Sequence, residues 1–131
     1  MNERTPMALL VEDDSEIRCY VRAALQDEGW QVREAASLAS ALADARTIAP
    51  DLIVLELGIP DGDGVAFIAT VRLKSMVPII VLAARVEDDE KYRAMAAGAN
   101  DYLSKLFGAG PRLTAALRRL RPHASSNGEC Q

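Results

Sequence analysis

Acidic residues and one lysine follow the short apolar segments of this sequence, where their side chains could form a site for chemistry. Glu12 and Asp13 come directly after one apolar segment, and Glu56 follows another. Carboxylates that lie close together repel one another unless a cation neutralises them, and Mg²⁺ suits a shallow site with a few carboxylates and several waters. Lys105 follows a third apolar segment and adds a fixed positive charge. If these residues meet, they predict a site for a phosphoryl group.

Each of these acids also has an ordinary structural explanation. Acids that follow a strand often cap the next helix, and Asp13, Asp14 and Glu16 could all serve the first turn of one helix. For any single acid, capping is the favoured interpretation. The site is favoured for the set as a whole, because its members follow the first, third and fifth predicted strands.

Five strand-then-helix units account for these positions. The predicted strands are residues 7–11, 31–35, 52–55, 79–82 and 102–103, and the predicted helices are residues 15–28, 37–47, 65–74, 88–97 and 111–121. Strict alternation predicts an α/β fold with a doubly wound, five-stranded parallel sheet. Right-handed crossovers bring the carboxyl ends of all strands to one edge, and sites in such sheets lie outside that edge where the strand order switches.

Several local expectations accompany these elements. Gly98 stands where a helix needs a residue with positive φ, and Pro111 suits the first turn of the last helix. Either Val71 or Leu73 should face the core from the third helix. Cys19 is expected to be a small buried hydrophobic residue.

Composition restricts the class of protein. The chain has 131 residues, of which 50% are hydrophobic, with a net charge of −4 and two cysteines. These values favour one domain over residues 1–121 with a polar tail at 122–131, and they argue against a disulfide framework or a broadly basic nucleic-acid surface. No apolar run is long enough to span a bilayer, and the first residues lack a signal-peptide pattern, so a cytoplasmic location without membrane contact is expected.

Four segments resemble the signatures of the receiver domains of two-component response regulators, in order and at the right separations: Leu9–Asp14, Asp51–Gly64, Pro78–Arg85 and Gly98–Lys105. The resemblance covers residues 7 to about 121 and is strongest to the OmpR/KdpE-like branch. It implies the (βα)5 flavodoxin-like receiver fold. It also implies a role in phosphorelay signal transduction and transcription regulation rather than as an enzyme.

The resemblance implies a role for each residue of the site. Glu12 and Asp13 match the acidic pair, with Asp13 as the direct Mg²⁺ ligand. Gly58 matches the residue whose backbone carbonyl also binds the metal. Lys105 matches the lysine that contacts the phosphoryl oxygens, and Tyr102 matches the aromatic switch residue that swings inward on activation.

Three positions depart from the family pattern. Glu56, which also belongs to the metal-binding set, replaces the phosphoacceptor aspartate, and its extra methylene moves the carboxylate by about 1.5 Å. An error of about 1 Å in a reacting group can reduce a rate roughly a hundredfold. Ala83 replaces the serine or threonine whose hydroxyl contacts the phosphoryl group. Leu106 replaces a proline that usually follows a cis bond, so the Lys105–Leu106 bond is expected to be trans.

The implied partners are a sensor histidine kinase or another signalling protein. The family forms dimers through its fourth helix, fifth strand and fifth helix, which correspond here to residues 88–121. Lys91 and Asp101 match the charge pairs of that interface, and three further positions do not: Asn100, Pro111 and Ala115. Only a weak homodimer is therefore expected. The sequence contains no recognisable DNA-binding output domain, so direct binding of this chain to nucleic acid is not expected.

Two functions remain open from the sequence. The favoured one is a receiver that is impaired in phosphorylation because of Glu56 and acts through protein binding. The alternative is a Mg²⁺-dependent, phosphoryl-accepting receiver fragment of an OmpR-type transcriptional regulator.

Overall fold

Five strands alternate with five helices along the chain. A computed structural model describes residues 5–84, 86–104 and 109–120, with the side chains of residues 109–111 excepted. The strands are β1 (Met7–Val11), β2 (Gln31–Ala35), β3 (Leu52–Glu56), β4 (Ile79–Ala83) and β5 (Asp101–Ser104). The helices are α1 (Ser15–Asp27), α2 (Leu38–Ile48), α3 (Gly64–Arg72), α4 (Asp88–Ala97) and α5 (Ala109–Leu120).

The strands form one parallel sheet in the order β2-β1-β3-β4-β5. The predicted doubly wound fold is therefore confirmed. The chain runs outward from β1 to β2 and then crosses back to β3 on the other side of β1, so the strand order switches between β1 and β3. At this point the first turns of neighbouring loops diverge and leave a crevice.

Each face of the sheet carries its own apolar cluster, because side chains of a strand alternate between the two faces. Leu9, Ile53 and Val81 pack on one face with residues of α2, α3 and α4. Leu10 and Val54 pack on the opposite face with residues of α1 and α5. Burial on both faces explains why the central strands are apolar throughout and hold the loops at their carboxyl ends in fixed positions.

Side-chain and glycine caps set the ends of several helices. Asp14 accepts hydrogen bonds from the first amides of α1, and Asp63 does the same for α3. Gly98 caps the carboxyl end of α4, and its φ of 124° confirms the expected positive-φ position.

The remaining local expectations had different outcomes: Val71 is the inward residue of the two alternatives for α3 and Pro111 lies in the first turn of α5, whereas the burial expected for Cys19 was wrong. Helix α3 ends at Arg72, so Leu73 lies 81% exposed, whereas Val71 faces the core. Cys19 is exposed, because Val21 and Leu25 occupy the inward face of α1. Helix α5 begins at Ala109, two residues before Pro111, which is possible because the first helical turn needs no amide donors. No helix among the described residues has the length and apolar character needed to cross a membrane.

Candidate functional site

Two buried carboxylates lie at the switch in strand order. Val11 of β1 pairs with Leu55 of β3, so the residues that follow them, Glu12 and Glu56, occupy equivalent positions on neighbouring strands. Glu12 is 1% exposed and Glu56 is 7% exposed, and they are the two buried charged residues among those that the structure describes. Buried carboxylates need compensating contacts, and these contacts distinguish the roles of the two residues.

The acids after β1 divide between a cap and an exposed carboxylate. Asp14 Oδ1 accepts from the amides of Glu16 (2.9 Å) and Ile17 (3.1 Å), so the capping explanation holds for Asp14. Glu12 Oε2 accepts from the Asp14 amide at 3.2 Å and thereby turns toward its own loop. Asp13 is exposed at the edge of the sheet. Asp14 is exposed as well, but its carboxylate caps α1, so Asp13 is the exposed acid of the three that is not used as a cap.

The Glu56 side chain folds back onto the loop that follows it. Its Oε2 accepts from the Gly58 amide at 2.7 Å. A Cβ atom at position 58 would lie 2.8 Å from the same oxygen, so the folded-back glutamate depends on glycine there. The extra methylene of glutamate is accommodated by this return toward Gly58.

The residues fit a sparse magnesium site rather than a cage of carboxylates. Within the described parts of the chain, no three acidic, histidine or cysteine side chains are grouped closely enough to hold a metal ion. Mg²⁺ commonly needs only one or two carboxylates, with waters and other oxygens completing the octahedron. The Asp13 carboxylate is exposed to solvent at this edge of the sheet, where an ion could reach it. Asp13 and the Gly58 carbonyl are compatible with such a set.

Ala83 and Tyr102 lie together in the core cluster on one face of the sheet. Ala83 ends β4 and is buried, and Tyr102 of β5 is 5% exposed. The Tyr102 hydroxyl donates to Glu90 Oε1 of α4 at 2.6 Å. Burial, and next this hydrogen bond, raise the pKa of Tyr102 from 10.0 to about 12. The aromatic side chain is thus directed inward and held by Glu90.

Sequence reasoning missed two polar contacts that shape the surroundings of the site. Glu90 was not recognised as the partner of Tyr102. Asp61, in the loop after β3, accepts from the amides of Leu38 (2.9 Å) and Ala39 (3.2 Å), and these hydrogen bonds lower the pKa of the Asp61 carboxyl. Asp61 therefore ties the loop that carries Gly58 to the amino end of α2. An acid that caps a helix more than 20 residues earlier leaves no local signal in the sequence.

The remaining predicted residues have different outcomes. Lys105, Leu106 and the bond between them lie outside the described residues. Asp101, expected at a dimer interface, forms an ion pair with Arg119 of its own chain at 2.9 Å. Asn100 Oδ1 accepts from the Ile79 amide at 2.8 Å, so it ties the loop between α4 and β5 to the start of β4.

Comparison with known proteins identifies the family. The response regulator receiver domain matches residues 8–118. The chain is 53% identical over 114 residues to the KDP operon transcriptional regulatory protein KdpE of Escherichia coli. This alignment covers 85% of this chain and 51% of the relative. It is 36% identical over 122 residues to the E. coli phosphate regulon transcriptional regulatory protein PhoB, and this alignment covers 88% of this chain and 53% of the relative.

A solved structure gives the same result for the fold. The Vibrio cholerae chemotaxis protein CheY4 superimposes with a TM-score of 0.81 at 32% identity, covering 89% of this chain and 99% of that protein. The chain spans about half the length of the curated relatives it matches. By sequence, strand order and the acids at the switch between β1 and β3, the chain belongs to the response regulator receiver domain family, and it is of the KdpE/PhoB type.

Proposed function

We propose that this receiver domain is impaired in phosphorylation because of Glu56 and acts in signal transduction by binding other proteins. The observation that carries the proposal is the 2.7 Å hydrogen bond between Glu56 Oε2 and the Gly58 amide. A phosphoacceptor oxygen must approach phosphorus in line with the leaving group, and small displacements strongly reduce the rate. Glu56 directs this oxygen at its own loop, in a buried position, rather than at an incoming phosphodonor.

The link from the site to the surface also differs from the family pattern. Ala83 offers a methyl group where a hydroxyl would contact a phosphoryl oxygen, and a methyl group neither donates nor accepts a hydrogen bond. Tyr102 already lies inward, held by Glu90. The inward position of Tyr102 therefore does not require a contact between residue 83 and a phosphoryl group. This supports a domain whose surface around Tyr102 stays the same without phosphorylation.

Receiver domains generally bind Mg²⁺ at the phosphorylation site. Here Asp13 and the Gly58 carbonyl would hold the ion, and Glu12 and Glu56 would contribute negative charge behind them. The ion supplies neutralisation of phosphoryl charge when bound. We expect weak binding, because Glu12 is turned toward Asp14 and Glu56 toward Gly58. Lys105 is proposed as the contact to phosphoryl oxygens.

Receiver domains interact with sensor histidine kinases, and we propose such a kinase, or another signalling protein, as the partner in the cytoplasm. A homodimer through residues 88–121 should be weak, because Asp101 is paired with Arg119 within the chain. No enzymatic role and no direct contact with nucleic acid or membrane is proposed for residues 1–121. The polar segment 122–131 is proposed as a tail outside the domain.

The alternative is a Mg²⁺-dependent receiver that still accepts a phosphoryl group, as part of an OmpR-type transcriptional regulator. The retained acidic pair, Glu12 and Asp13, favours it. So does the length of the curated relatives, which are transcriptional regulators of which the matched part makes up about half. The two functions differ in one measurable property, the phosphorylation of residue 56.

Phosphoryl labelling tests the proposal directly. The chain and its Glu56→Asp variant are incubated with Mg²⁺ and acetyl phosphate, and intact mass is recorded over time, with Glu56→Gln as the control. We expect Glu56→Asp to gain the mass of one phosphoryl group, and the unaltered chain to gain none, because aspartate withdraws the carboxylate by about 1.5 Å.

Two other outcomes are informative. Labelling of the unaltered chain but not of Glu56→Gln would contradict the proposal and establish the alternative. Labelling of none of the three would leave the impairment in place but would show that Glu56 alone does not cause it, with Ala83 the next position to restore.

A further inference from the structure

A guanidinium group from α1 contacts the backbone of the acidic pair. Arg18 Nη1 donates to the carbonyl oxygen of Glu12 at 2.9 Å and approaches the carbonyl oxygen of Asp13 at 3.5 Å. The first distance is that of a good hydrogen bond, and the second is at the limit. The Arg18 side chain is 22% exposed, so it lies largely beneath the loop that it contacts.

Glu34 of β2 fixes the orientation of Arg18. Arg18 Nε donates to Glu34 Oε1 at 3.0 Å. Arg22, one helical turn further along α1, contacts the other oxygen of the same carboxylate. Arg18 is therefore bound at both ends of its planar guanidinium, to a strand on one side and to the loop carbonyls on the other. A planar group with several fixed donors is suited to this bridging.

We propose that Arg18 is a positioning residue for Mg²⁺: by holding the carbonyls of Glu12 and Asp13, it sets the direction in which the Asp13 carboxylate leaves the backbone. The proposal deepens the proposed function and rests on its metal site. Residues that orient metal ligands typically change metal affinity by 10- to 100-fold when they are replaced. Arg18 does this through backbone groups and makes no use of the exposed Asp13 carboxylate.

The direction in which Mg²⁺ affinity changes when Arg18 is replaced distinguishes a positioning role from a purely electrostatic one. Arg18 carries a positive charge close to the loop, and a fixed cation disfavours the binding of another cation. If Arg18 acted only through its charge, its removal would strengthen Mg²⁺ binding. If Arg18 holds the loop, its removal weakens Mg²⁺ binding in spite of the lost repulsion.

Arg22 provides the matched control. Arg22→Met removes the same charge, from the same helix and from the same Glu34 carboxylate, but no hydrogen bond of Arg22 reaches Glu12 or Asp13 among the described contacts. Mg²⁺ affinity is measured for the whole chain by titration of backbone amide NMR shifts. We expect Arg18→Met to weaken Mg²⁺ binding by about tenfold, and Arg22→Met to leave it unchanged within about twofold or slightly strengthened.

Equal or tighter Mg²⁺ binding by Arg18→Met than by Arg22→Met would overturn the proposal. If Arg18→Met fails to fold, Arg18→Lys replaces it: lysine keeps the charge but lacks the planar fork, so weaker binding is again expected, and unchanged binding again overturns the role. If the unaltered chain binds no Mg²⁺, the metal site of the proposed function is wrong and the role of Arg18 falls with it. If the unaltered chain binds Mg²⁺ and only the Arg18 effect is missing, the proposed site stands and Arg18 alone is wrongly assigned.

Discussion

Glu56 has the charge of an aspartate on a side chain that is one methylene longer. The side chain has the same carboxylate as aspartate, but at the end of β3 it turns back toward the following loop. There its Oε2 accepts a hydrogen bond from the Gly58 amide. Backbone amides at a loop are common partners for carboxylates. The consequence at this position is that this carboxylate oxygen holds a loop, and the proposed impairment of phosphorylation rests on that contact.

At the residue scale, the titration of the Tyr102 hydroxyl tests whether this side chain is buried and bonded to Glu90. Replacement of Tyr20 and Tyr92 by phenylalanine leaves Tyr102 as the one tyrosine of the three in the chain. An absorbance titration of tyrosinate should then have a midpoint at about 12, and Glu90→Gln should lower that midpoint, because the carboxylate no longer accepts the phenolic proton.

The raised pKa of Tyr102 also makes the stability of the folded chain depend on pH. The folded chain keeps the Tyr102 proton at pH values where the unfolded chain has lost it, so the free energy of unfolding should fall as pH rises from 10.0 to about 12 and should be insensitive to Tyr102 below 10.0. Circular dichroism at each pH monitors unfolding. A titration midpoint near 10.0 in the folded protein would mean that Tyr102 is not held inward.

At this scale the sequence predicted identities better than contacts. It located Glu12, Glu56 and Ala83 at the carboxyl ends of strands, because apolar runs mark where strands end, and it placed Tyr102 within the last strand. It missed Glu90, since the rotation of α4 about its axis determines which acid meets Tyr102, and the mixed polar sequence of that helix does not reveal the rotation. The burial expected for Cys19 failed for a related reason, because the rotation of α1 places Val21 and Leu25 rather than Cys19 on its inward face.

At the scale of elements, hydrogen bonds at the ends of helices also connect elements that are far apart in the chain. Asp61 links the loop after β3 to the amino end of α2. Arg72, at the end of α3, donates from Nε (3.1 Å) and Nη2 (2.8 Å) to the Gly98 carbonyl at the end of α4. The apolar periodicity predicted where the helices lie, but it could not predict these links between elements that are far apart in the chain.

Gly98 gives the element-scale prediction. Its φ of 124° is rarely adopted by other residues, and a Cβ atom there would lie 2.7 Å from Arg72 Cγ. Gly98→Ala should therefore lower the free energy of unfolding by about 1–3 kcal/mol, as measured by urea denaturation. Gly62→Ala is the control, because its φ lies outside the strained range and the nearest atom, Leu38 Cδ1 at 3.1 Å, belongs to a flexible side chain. Equal losses in the two variants would contradict the explanation.

For the whole molecule, strict alternation of strands and helices was enough to predict the sheet and the edge that carries the site. The order β2-β1-β3-β4-β5 then places Glu12 and Glu56 on neighbouring strands. Alternation could not predict that Tyr102 lies inward. That depends on a hydrogen bond to Glu90 of α4, which becomes visible only when the helix is packed against the sheet.

The most direct test of the central claim uses beryllofluoride, a phosphoryl analogue that binds a correctly placed acceptor carboxylate in the presence of Mg²⁺. Backbone amide NMR shifts are recorded for the unaltered chain and for Glu56→Asp as beryllofluoride is added. We predict saturable shifts around position 56 in Glu56→Asp and none in the unaltered chain, because Glu56 Oε2 is held by the Gly58 amide. Saturable shifts of the same residues in the unaltered chain would contradict the claim that Glu56 impairs this receiver.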